Sequence, residues 1–447
     1  MNLGRALRAG RESRIGFVGS GGKTTAIFQL ARTYTDIPVW VTTTTHLAYE
    51  QWKLADYFHV FHSDNISGIN SKWLDNGVHL FVGAEDEYIH KWTRITKNQY
   101  ELLLSAVDTY QIPLLIECDG SRGRPIKAPA EHEPDIPNGL TDVVVVVGLN
   151  GCNQPLVENI VHRPEIFSRL VKLKPGELVS EEHLINYLSN EQGGLKNLPN
   201  NTRKILIINQ ADTQDQVQIG QRLSKKLLGI YDSCLITCLL DIVEAELQVY
   251  EVFEPLAAVI LASGESSRMQ GKIKQLLDWN GISLIRHVTQ QALGAEVQKV
   301  GVVLGSHIHE IQRAIDDLPI EILENPRYQT GQSAGMRVAI NTYKNTYFNI
   351  CFLLCDQPFV TSQLINSLIC LHRKTLADIV APRIDGSRGN PVVFDHRTFN
   401  DLLQIHGDQG GRELFNTHDV AWLDIPDKRI LIDIDTEKDY QIALNAQ

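Results

Sequence analysis

Residues 256–275 read LAAVILASGESSRMQGKIKQ. The apolar run that begins at Leu256 predicts a buried strand, and this strand leads into a loop of small residues that contains Gly264. Such a loop lets backbone N–H groups approach a phosphate chain closely, and Arg268 and Lys274 supply two cations to neutralise its charge. The alternative is an ordinary polar connection between a strand and a helix. The downstream sequence favours the phosphate site.

The composition narrows the class of protein. The chain has 447 residues, which is too long for one hydrophobic core and predicts two or three domains. Its formal net charge of −11 argues against nucleic-acid binding, which needs a basic face, but a local cationic pocket for a small anion remains compatible. No stretch reaches the roughly 18 apolar residues of a membrane span, and residues 1–10 lack the apolar region of a secretory signal. We therefore expect a cytoplasmic protein with no membrane partner, and the seven cysteines predict no disulfide framework.

Strands and helices alternate along the whole chain, which is typical of α/β domains with mostly parallel sheets. In the first half, strands are predicted at residues 14–18, 38–42, 57–61, 79–82, 113–117, 143–147, 204–208 and 235–239. Helices are predicted there at residues 23–33, 99–110, 181–188 and 216–228. In the second half, strands are predicted at residues 256–262, 299–304, 320–323 and 350–354, and helices at residues 283–293, 309–314 and 362–371. A further helix is predicted to start near Met336.

The pattern predicts two doubly wound, three-layer α/β domains. Five consecutive valines at residues 143–147 are typical of a strand buried on both faces. An acidic stretch over residues 241–254, followed by Pro255, separates the two halves. We predict domains at residues 1–245 and 254–447.

The first half has its own phosphate signature, GSGGKTT, between a predicted strand and a predicted helix, which is the context that a P-loop requires. Its candidate nucleotide-binding residues are Gly19, Gly21, Gly22, Lys23, Thr24 and Thr25. Backbone N–H groups would cradle phosphates, Lys23 would reach the outer phosphates, and the Thr24 hydroxyl would ligate Mg²⁺. Phe17 stands where the longer P-loop pattern has its first glycine, and Thr24 stands where a dinucleotide fingerprint has its third. We therefore predict a P-loop-like N-terminal domain that binds ATP or GTP.

The strand at residues 113–117 leads into two carboxylates, Glu117 and Asp119. Open α/β sheets bind ligands at the carboxyl ends of their strands, so either carboxylate is a candidate to hold a metal or its water. Asp119 is the predicted metal ligand. The alternative is a simple acidic turn.

Residues 1–240 resemble the selenium-dependent hydroxylase accessory proteins of the YqeC type. The resemblance is carried by GSGGKTT, by the TTTTH run at residues 42–46, by ECDGSRGRPIKAPAEHEP at residues 117–134 and by His162-Arg163-Pro164. Residues 209–212, NQAD, also resemble the guanine-reading N-K-x-D of GTPases, with Gln210 in place of the lysine.

In the second half, the strand at residues 350–354 ends at Cys355-Asp356-Gln357-Pro358. An acid at the carboxyl end of a buried strand is a natural Mg²⁺ position, and Pro358 fixes the turn that follows. Asp356 lies six residues before the predicted helix at 362, which is too far for a helix cap. Asp356 is therefore a candidate catalytic and metal-binding residue.

The second half resembles the MobA-like nucleotidyltransferases, and most of all their molybdenum cofactor cytidylyltransferase (MocA-type) branch. The matching pieces occur in the order of that family: LASGESSRMQGKIKQLL, NPRYQTGQS, LLCDQPFVT, GSRGNPVVF, GDQGGR and DIDTEKDY. The spacing from Met269 to Lys274 is one residue longer and resembles the guanylyltransferase branch. The resemblance implies a Rossmann-like nucleotidyltransferase fold for the C-terminal domain.

The same resemblance implies roles for residues that match the family motifs. Those implied to bind nucleotide through the backbone are Leu261, Ala262, Ser263 and Gly264. Those implied to be catalytic are Arg268, Lys274 and Asp356. Those implied to bind Mg²⁺ (or Mn²⁺) are Asp356 and Asp435, and those implied to meet the acceptor are Asp408, Gly410 and Arg412.

Taken together, the residues and the resemblance predict a nucleotidyltransferase. It would transfer CMP from CTP to the terminal phosphate of molybdenum cofactor (molybdopterin), with pyrophosphate as second product and molybdenum hydroxylase apoenzymes as partners. One alternative is the same chemistry with GTP or with a sugar phosphate as acceptor. Another is a cofactor chaperone in which nucleotide binding by the first domain acts as a switch.

Overall fold

The computed structural model describes residues 1–62, 68–239, 249–266, 268–269, 271–407 and 410–446. The chain divides into two units, Met1–Phe253 and Glu254–Gln447, which we call the first and the second domain. Within the described residues, no helix combines the length and the apolar composition that crossing a membrane requires. All seven cysteines are free, and Cys118 and Cys351 are buried in strand surroundings.

A nine-stranded sheet forms the first domain. Its strands are β1 (Arg14–Gly19), β2 (Pro38–Thr43), β3 (Tyr57–Val60), β4 (Gly77–Val82), β5 (Leu114–Glu117), β6 (Asp142–Gly148), β7 (Arg203–Asn209), β8 (Ser233–Thr237) and β9 (Val249–Phe253). Their order across the sheet is β9-β8-β7-β6-β1-β5-β2-β4-β3. All neighbours are parallel except the edge pair β8 and β9. Strand β1 pairs with β6 on one side and β5 on the other, so the chain reverses its winding direction at β1.

The helices of the first domain are α1 (Leu3–Leu7), α2 (Lys23–Arg32), α3 (Lys97–Tyr110), α4 (Pro164–Val171), α5 (Glu181–Leu188) and α6 (Gln214–Leu227). Alternate valines of β6 point to opposite faces, and all of them are buried. Val143, Val145 and Val147 join one apolar core with residues of α3, α4, α5 and α6. Helix α2 contacts β1, β2 and β5 and is largely buried. The sheet is thus covered by helices on both faces.

The second domain has an eight-stranded sheet. Its strands are β10 (Leu256–Leu261), β11 (Lys299–Leu304), β12 (Glu321–Glu324), β13 (Asn349–Leu354), β14 (Ile379–Ile384), β15 (Ser387–Arg388), β16 (Val392–Asp395) and β17 (Val420–Asp424). The order is β12-β11-β10-β13-β16-β14-β15, and β17 pairs with β14 in parallel. Strand β10 is parallel to both neighbours, β11 and β13, so the winding reverses between β10 and β13. In open α/β sheets, this reversal leaves a crevice at the carboxyl ends of the two strands.

The α-helices among the described residues of the second domain are α7 (Leu284–Leu293), α8 (Ile308–Arg313), α9 (Gln332–Tyr343), α10 (Ser362–Thr375), α11 (Phe399–Gln404) and α12 (Glu437–Asn445). Leu256, Ala258 and Ile260 of β10 pack into one core with residues of α7, α8 and α10. Ala257 and Val259 pack into the opposite core with residues of α9 and α11. Both domains therefore have the three-layer α/β architecture predicted from sequence.

Two-residue strands form smaller ladders. They are Leu47–Ala48, Glu85–Asp86 and Lys91–Trp92 in one sheet, Ile126–Lys127 with Val161–His162 in a second, and Asp278–Trp279 with Ile282–Ser283 in a third. The parallel pair of Ile126–Lys127 and Val161–His162 is important for the first-domain site, because it places Lys127 beside His162.

Several boundaries differ from the sequence expectation for identifiable reasons. Helices α3 and α6 each begin two residues earlier than predicted, because Thr96 and Thr213 cap them with reciprocal side-chain hydrogen bonds. Helix α9 begins at Gln332 rather than near Met336. Strand β9 pairs with β8, so the first sheet extends beyond residue 245, where the sequence predicts that the domain ends.

Candidate functional site

The carboxyl ends of β10 and β13 form a cleft of about 290 Å³ in the second domain. The predicted nucleotide-binding residues Leu261, Ala262, Ser263 and Gly264 line it, together with Lys274, Gln275, Tyr328, Gly331, Gln332, Leu354, Cys355 and Asp356. A Cβ built on Gly264 would meet no described atom within 4 Å. The described residues therefore leave open space beside Gly264, a residue of the cleft.

Lys274 brings two distant carboxylates together at this cleft. Its Nζ lies 2.6 Å from Asp356 Oδ2 and 3.0 Å from Asp435 Oδ1. Asp435 reaches this position because the Ile434 N–H donates to the Asp356 carbonyl oxygen at 3.0 Å. Burial alone would lower the pKa of Lys274, but Asp356 and Asp435 outweigh it and raise that pKa. The lysine is therefore a fully charged ammonium between two carboxylates.

Arg268 lies at the edge of the same cluster. Its Nη1 is 3.5 Å from Asp435 Oδ2, and its side chain is 74% exposed. A flexible, exposed guanidinium close to a carboxylate pair is free to turn toward an incoming anion.

Asp356 and Asp435 supply oxygen ligands of the kind that a divalent cation binds. Asp356 Oδ1 is buried and accepts no hydrogen bond from any described residue, so one oxygen is left for another ligand. Carboxylate oxygens are the ligands that Mg²⁺ and Mn²⁺ prefer. Asp433 lies nearby, where burial raises the pKa of its carboxyl and Gln357 Nε2 donates to it at 2.6 Å. The cap of α10 is Thr361, whose side chain accepts from Leu364 N–H, so Asp356 has no capping role.

The residues predicted to bind the acceptor substrate do not all lie at this cleft. Gly410 lies against Gln332, a residue of the cleft, since a Cβ at Gly410 would be 3.2 Å from Gln332 Oε1. Arg412 is exposed and is not among the described residues that line the cleft. Burial, together with the nearby charge of Arg412, lowers the pKa of the Arg388 guanidinium. Asp408 lies outside the described residues.

Gln275 is a site residue that the sequence analysis missed. It is 2% exposed, and its Nε2 donates to the carbonyl oxygens of Ala262 and Gly264, each at 3.0 Å. Its Oε1 accepts from Ser266 Oγ at 3.0 Å. The side chain thus fixes the loop that follows β10. In the sequence, Gln275 is a polar residue next to apolar residues. The sequence does not show which groups its side chain contacts in the folded protein.

We expect Gln275→Leu to lower the free energy of unfolding of the second domain by about 1–3 kcal/mol, because it leaves two carbonyl oxygens without their donor at similar side-chain volume. Urea denaturation followed by peptide-resolved hydrogen exchange measures this. Gln290→Leu, at an exposed position of α7, is the matched control and should change stability little. Equal stability of both variants would contradict the role given to Gln275.

The first domain has a second cleft, of about 550 Å³, at the carboxyl end of β1. It is lined by the loop residues Gly21, Gly22, Lys23, Thr24 and Thr25 and by residues that include His46, Glu117, Arg122, His162, Arg163 and Gln210. Gly21 has a φ of +82°, and a Cβ there would lie 2.4 Å from Gly148 N. The loop therefore requires glycine at that position. Gly19 does not line this cleft but starts the loop, and its N–H donates to Asp119 Oδ2 at 3.1 Å.

Thr24 and Glu117 meet at the floor of this cleft. Thr24 Oγ1 donates to Glu117 Oε2 at 3.3 Å and accepts from Gln51 Nε2 at 3.2 Å. Burial raises the pKa of Glu117. Asp119, the predicted metal ligand, lies 3.1 Å from Lys23 Nζ and 2.7 Å from Lys127 Nζ, and both lysines are buried. Lysines therefore neutralise Asp119 in the same way as Lys274 neutralises Asp356 and Asp435, and its role as a metal ligand stays a prediction.

The buried ion pairs continue from Asp119 to the wall of the cleft. Lys127 Nζ is also 2.8 Å from Glu133 Oε2, and Arg163 binds both oxygens of Glu133, at 2.7 and 3.1 Å. Burial and the charges of Arg163 and Lys127 lower the pKa of His162 to about 4. His162 is therefore neutral near pH 7.

Two family models match different parts of the chain. Residues 15–165 match the family model described as YqeC protein, and residues 258–421 match the one described as MobA-like NTP transferase domain. The YqeC protein of Escherichia coli (strain K12) is 30% identical over 206 residues, which are 44% of this chain and 76% of that protein. The molybdenum cofactor cytidylyltransferase of the same organism is 25% identical over 188 residues, 41% of this chain and 93% of that enzyme.

A third relative is the molybdenum cofactor guanylyltransferase of Pseudomonas putida (strain GB-1), which is 32% identical over 125 residues, 28% of this chain and 61% of that enzyme. The cytidylyltransferase and the guanylyltransferase both carry out nucleotidyl transfer, as their names state. The chain belongs to the YqeC family through its first domain, and it is a nucleotidyltransferase through the MobA-like domain fused behind it.

Proposed function

We propose that the second domain transfers CMP from CTP to the terminal phosphate of molybdopterin and releases pyrophosphate. The observation that carries the proposal is the Lys274 ammonium, held between Asp356 and Asp435 at a cleft with open space beside Gly264. The lysine and the backbone-lined loop fit the phosphates of a nucleoside triphosphate, and the two carboxylates fit the divalent cation that accompanies them. The six family motifs in order support the same chemistry.

This reaction needs no nucleophile from the protein. A terminal phosphate oxygen of the acceptor attacks the α-phosphorus of the nucleotide, the bond from that phosphorus to the bridging oxygen breaks, and pyrophosphate leaves with the bond's electrons. Catalysis then depends on orientation and on stabilising charge at the phosphates. Lys274 and Arg268 would neutralise the triphosphate as the pyrophosphate departs.

Asp356 and Asp435 would hold Mg²⁺ or Mn²⁺ in this site. The bound cation would supply additional neutralisation of phosphate charge. The residues of the chain would orient the substrates: the backbone of residues 261–264 against the nucleotide, and the segment around Gly410 and Arg412 toward the acceptor phosphate.

The choice of CTP is supported by the match to a cytidylyltransferase over 93% of that enzyme's length. The guanylyltransferase relatives make GTP the principal rival, and a sugar phosphate is the rival acceptor. In the proposed pathway, molybdenum hydroxylase apoenzymes receive the product, and the protein acts in the cytoplasm.

The decisive experiment incubates the full chain with Mg²⁺, molybdopterin and one nucleoside triphosphate at a time, and measures pyrophosphate. We expect release with CTP to be at least about tenfold faster than with GTP, because a base pocket that hydrogen-bonds one base leaves polar groups unpaired with the other. Omitting molybdopterin is the control for hydrolysis. Pyrophosphate distinguishes this reaction from any release of inorganic phosphate by the first domain.

Absence of pyrophosphate with CTP in the presence of molybdopterin would falsify the proposal. Faster release with GTP would reassign the base while leaving the reaction type intact. Release that requires a sugar phosphate in place of molybdopterin would reassign the acceptor.

A further inference from the structure

Gln51 reaches the cleft of the first domain from outside the GSGGKTT loop. It lies in the 3₁₀ helix Tyr49–Leu54 and lines the same cleft as that loop. Two contacts of Trp92 anchor this helix: its ring stacks on Tyr49 with the centroids 5.2 Å apart, and its Nε1 donates to the Tyr49 carbonyl oxygen at 3.2 Å. The fold thus holds the segment that brings Gln51 to the loop.

The side-chain hydroxyl of Thr24 is oriented by two hydrogen bonds. A carboxylate can only accept, so the hydroxyl donates its single proton to Glu117 Oε2 at 3.3 Å. Gln51 Nε2 donates to the same hydroxyl oxygen at 3.2 Å and uses one of its two lone pairs. The two bonds leave one lone pair of Thr24 Oγ1 for a further ligand and fix its direction.

The carbonyl oxygen of the Gln51 side chain is a second acceptor at this place. It is buried, and no described residue donates a hydrogen bond to it. A buried acceptor that nothing completes is costly, so it indicates a missing donor or cation. Because Oε1 and Nε2 of Gln51 share one amide carbon, this oxygen is also close to the Thr24 hydroxyl.

The carboxylate of Glu117 supplies a third acceptor. Its Oε1 is 3.9 Å from Lys23 Nζ, which is beyond hydrogen-bond distance. The lysine instead donates to the Gly19 carbonyl oxygen at 2.6 Å and lies 3.1 Å from Asp119, so other groups compensate its charge. Glu117 Oε1 therefore keeps the capacity to bind a second cation.

A hydroxyl, an amide carbonyl and a carboxylate are the oxygen donors that Mg²⁺ and Mn²⁺ prefer. Within the part of the chain that the structure describes, no three His, Cys, Asp or Glu side chains are grouped to hold a metal, so a cation site at this cleft needs neutral oxygens. We propose that Gln51 supplies the third oxygen of a divalent-cation site that it forms with Thr24 and Glu117. Gln51 lies outside the sequence motifs of this domain, and the site does not depend on the function proposed for the second domain.

The cation also connects two elements of the first domain. Thr24 belongs to α2, and Gln51 belongs to the 3₁₀ helix Tyr49–Leu54. A cation held by both side chains restrains the 3₁₀ helix against the start of α2. We therefore expect metal binding to slow amide hydrogen exchange in residues 49–54.

The test uses the full chain with Asp356→Asn and Asp435→Asn, the parent chain, which lacks the proposed metal ligands of the second domain. Mn²⁺ alone is the probe, and electron paramagnetic resonance measures the free ion. We expect Gln51→Leu to weaken Mn²⁺ binding by about tenfold to a hundredfold, the usual effect of removing one group that supports a metal site. Gln51→Glu keeps the oxygen and adds a charge, so it should bind Mn²⁺ at least as tightly as the parent chain.

Glu50→Gln is the matched control. Glu50 is the neighbouring residue in the same 3₁₀ helix, is 70% exposed and pairs with Lys53. Its substitution removes a negative charge near the cleft, and we expect unchanged Mn²⁺ affinity because this carboxylate does not line the cleft. Peptide-resolved hydrogen exchange should show that Mn²⁺ protects residues 49–54 in the parent chain and in Gln51→Glu, but not in Gln51→Leu.

Four results would each overturn the proposal: no Mn²⁺ binding by the parent chain, equal affinity in Gln51→Leu, weaker binding in Gln51→Glu, or a loss in Glu50→Gln as large as that in Gln51→Leu. Retained binding in Gln51→Glu distinguishes the loss of a ligand oxygen from a damaged fold.

Discussion

Lys274→Met is expected to lower the rate of pyrophosphate release by about a hundredfold to a thousandfold, the usual effect of removing one preorganised electrostatic group. Its ammonium, 2.6 and 3.0 Å from two carboxylates, is the best-placed cation to contact the triphosphate. Methionine retains much of the side-chain length and removes the charge together with the two hydrogen bonds of the ammonium. The measurement is the pyrophosphate assay with the best nucleotide, at saturating substrates.

Lys272→Met is the matched control for that variant. Lys272 is two residues upstream, 58% exposed and paired with Glu437 at 2.8 Å on the surface. It loses the same charge, so the long-range electrostatic change is similar, and we expect a rate close to that of the unmodified protein. If Lys274→Met retained more than about a third of the control rate, the assignment of Lys274 to the reacting phosphates would have to be withdrawn.

Lys127→Met is expected to lower the free energy of unfolding of the first domain by about 3–5 kcal/mol, the cost of leaving buried charges without their partner. The Lys127 side chain is 1% exposed and lies 2.7 Å from Asp119 and 2.8 Å from Glu133. Urea denaturation with peptide-resolved hydrogen exchange separates this domain from the second. Lys97→Met, which removes an 87% exposed partner of Glu101, serves as control and should change stability by less than about 0.5 kcal/mol.

The same network makes the first domain sensitive to acid. Burial would raise the pKa of Glu133, but its hydrogen bonds with Arg163 and Lys127 prevail and lower it from 4.5 to about 2. Since the folded-state pKa is depressed, the stabilisation is complete above about pH 4.5 and is lost as the pH falls toward 2. In Lys127→Met, the folded-state pKa of Glu133 should rise toward 4.5, so the acid-dependent part of the stability should be smaller. A variant with unchanged stability and an unchanged acid transition would show that the buried pairs contribute nothing net.

The strands of both sheets were largely predictable, because parallel strands buried on both faces are continuous apolar runs. The valines of β6 and the run from Leu256 are of this type. Strand β9 was not predicted, since an edge strand with Tyr250 exposed and Glu251 within it resembles the acidic connection around it. Helix α9 was placed too late, because Gly335 weakens the helical pattern. In the structure, that glycine gives the helix close contact with Leu261.

The sequence motifs could be recognised, but the ion pairs and hydrogen bonds between residues distant in sequence could not be predicted. Lys274, Asp356 and the residues of 261–264 share one cleft as expected. The pairing of Asp119 with Lys23 and Lys127 was not visible, because it depends on contacts made only in the folded chain. Gln275 was missed as a positioning residue for the same reason, because the sequence does not show which carbonyl oxygens a polar side chain will contact.

The ion pairs of Lys274 have a consequence for the order of events at the second-domain cleft. Before any ligand arrives, the lysine acts as an internal counter-ion that neutralises the pair of Asp356 and Asp435. A divalent cation alone would have to compete with this covalently tethered charge, and a triphosphate alone would meet a lysine already paired with carboxylates. With both present, Asp356 and Asp435 would hold the cation, and Lys274 would be released to neutralise the phosphates. We therefore expect the site to bind a nucleotide together with a divalent cation more tightly than either component alone.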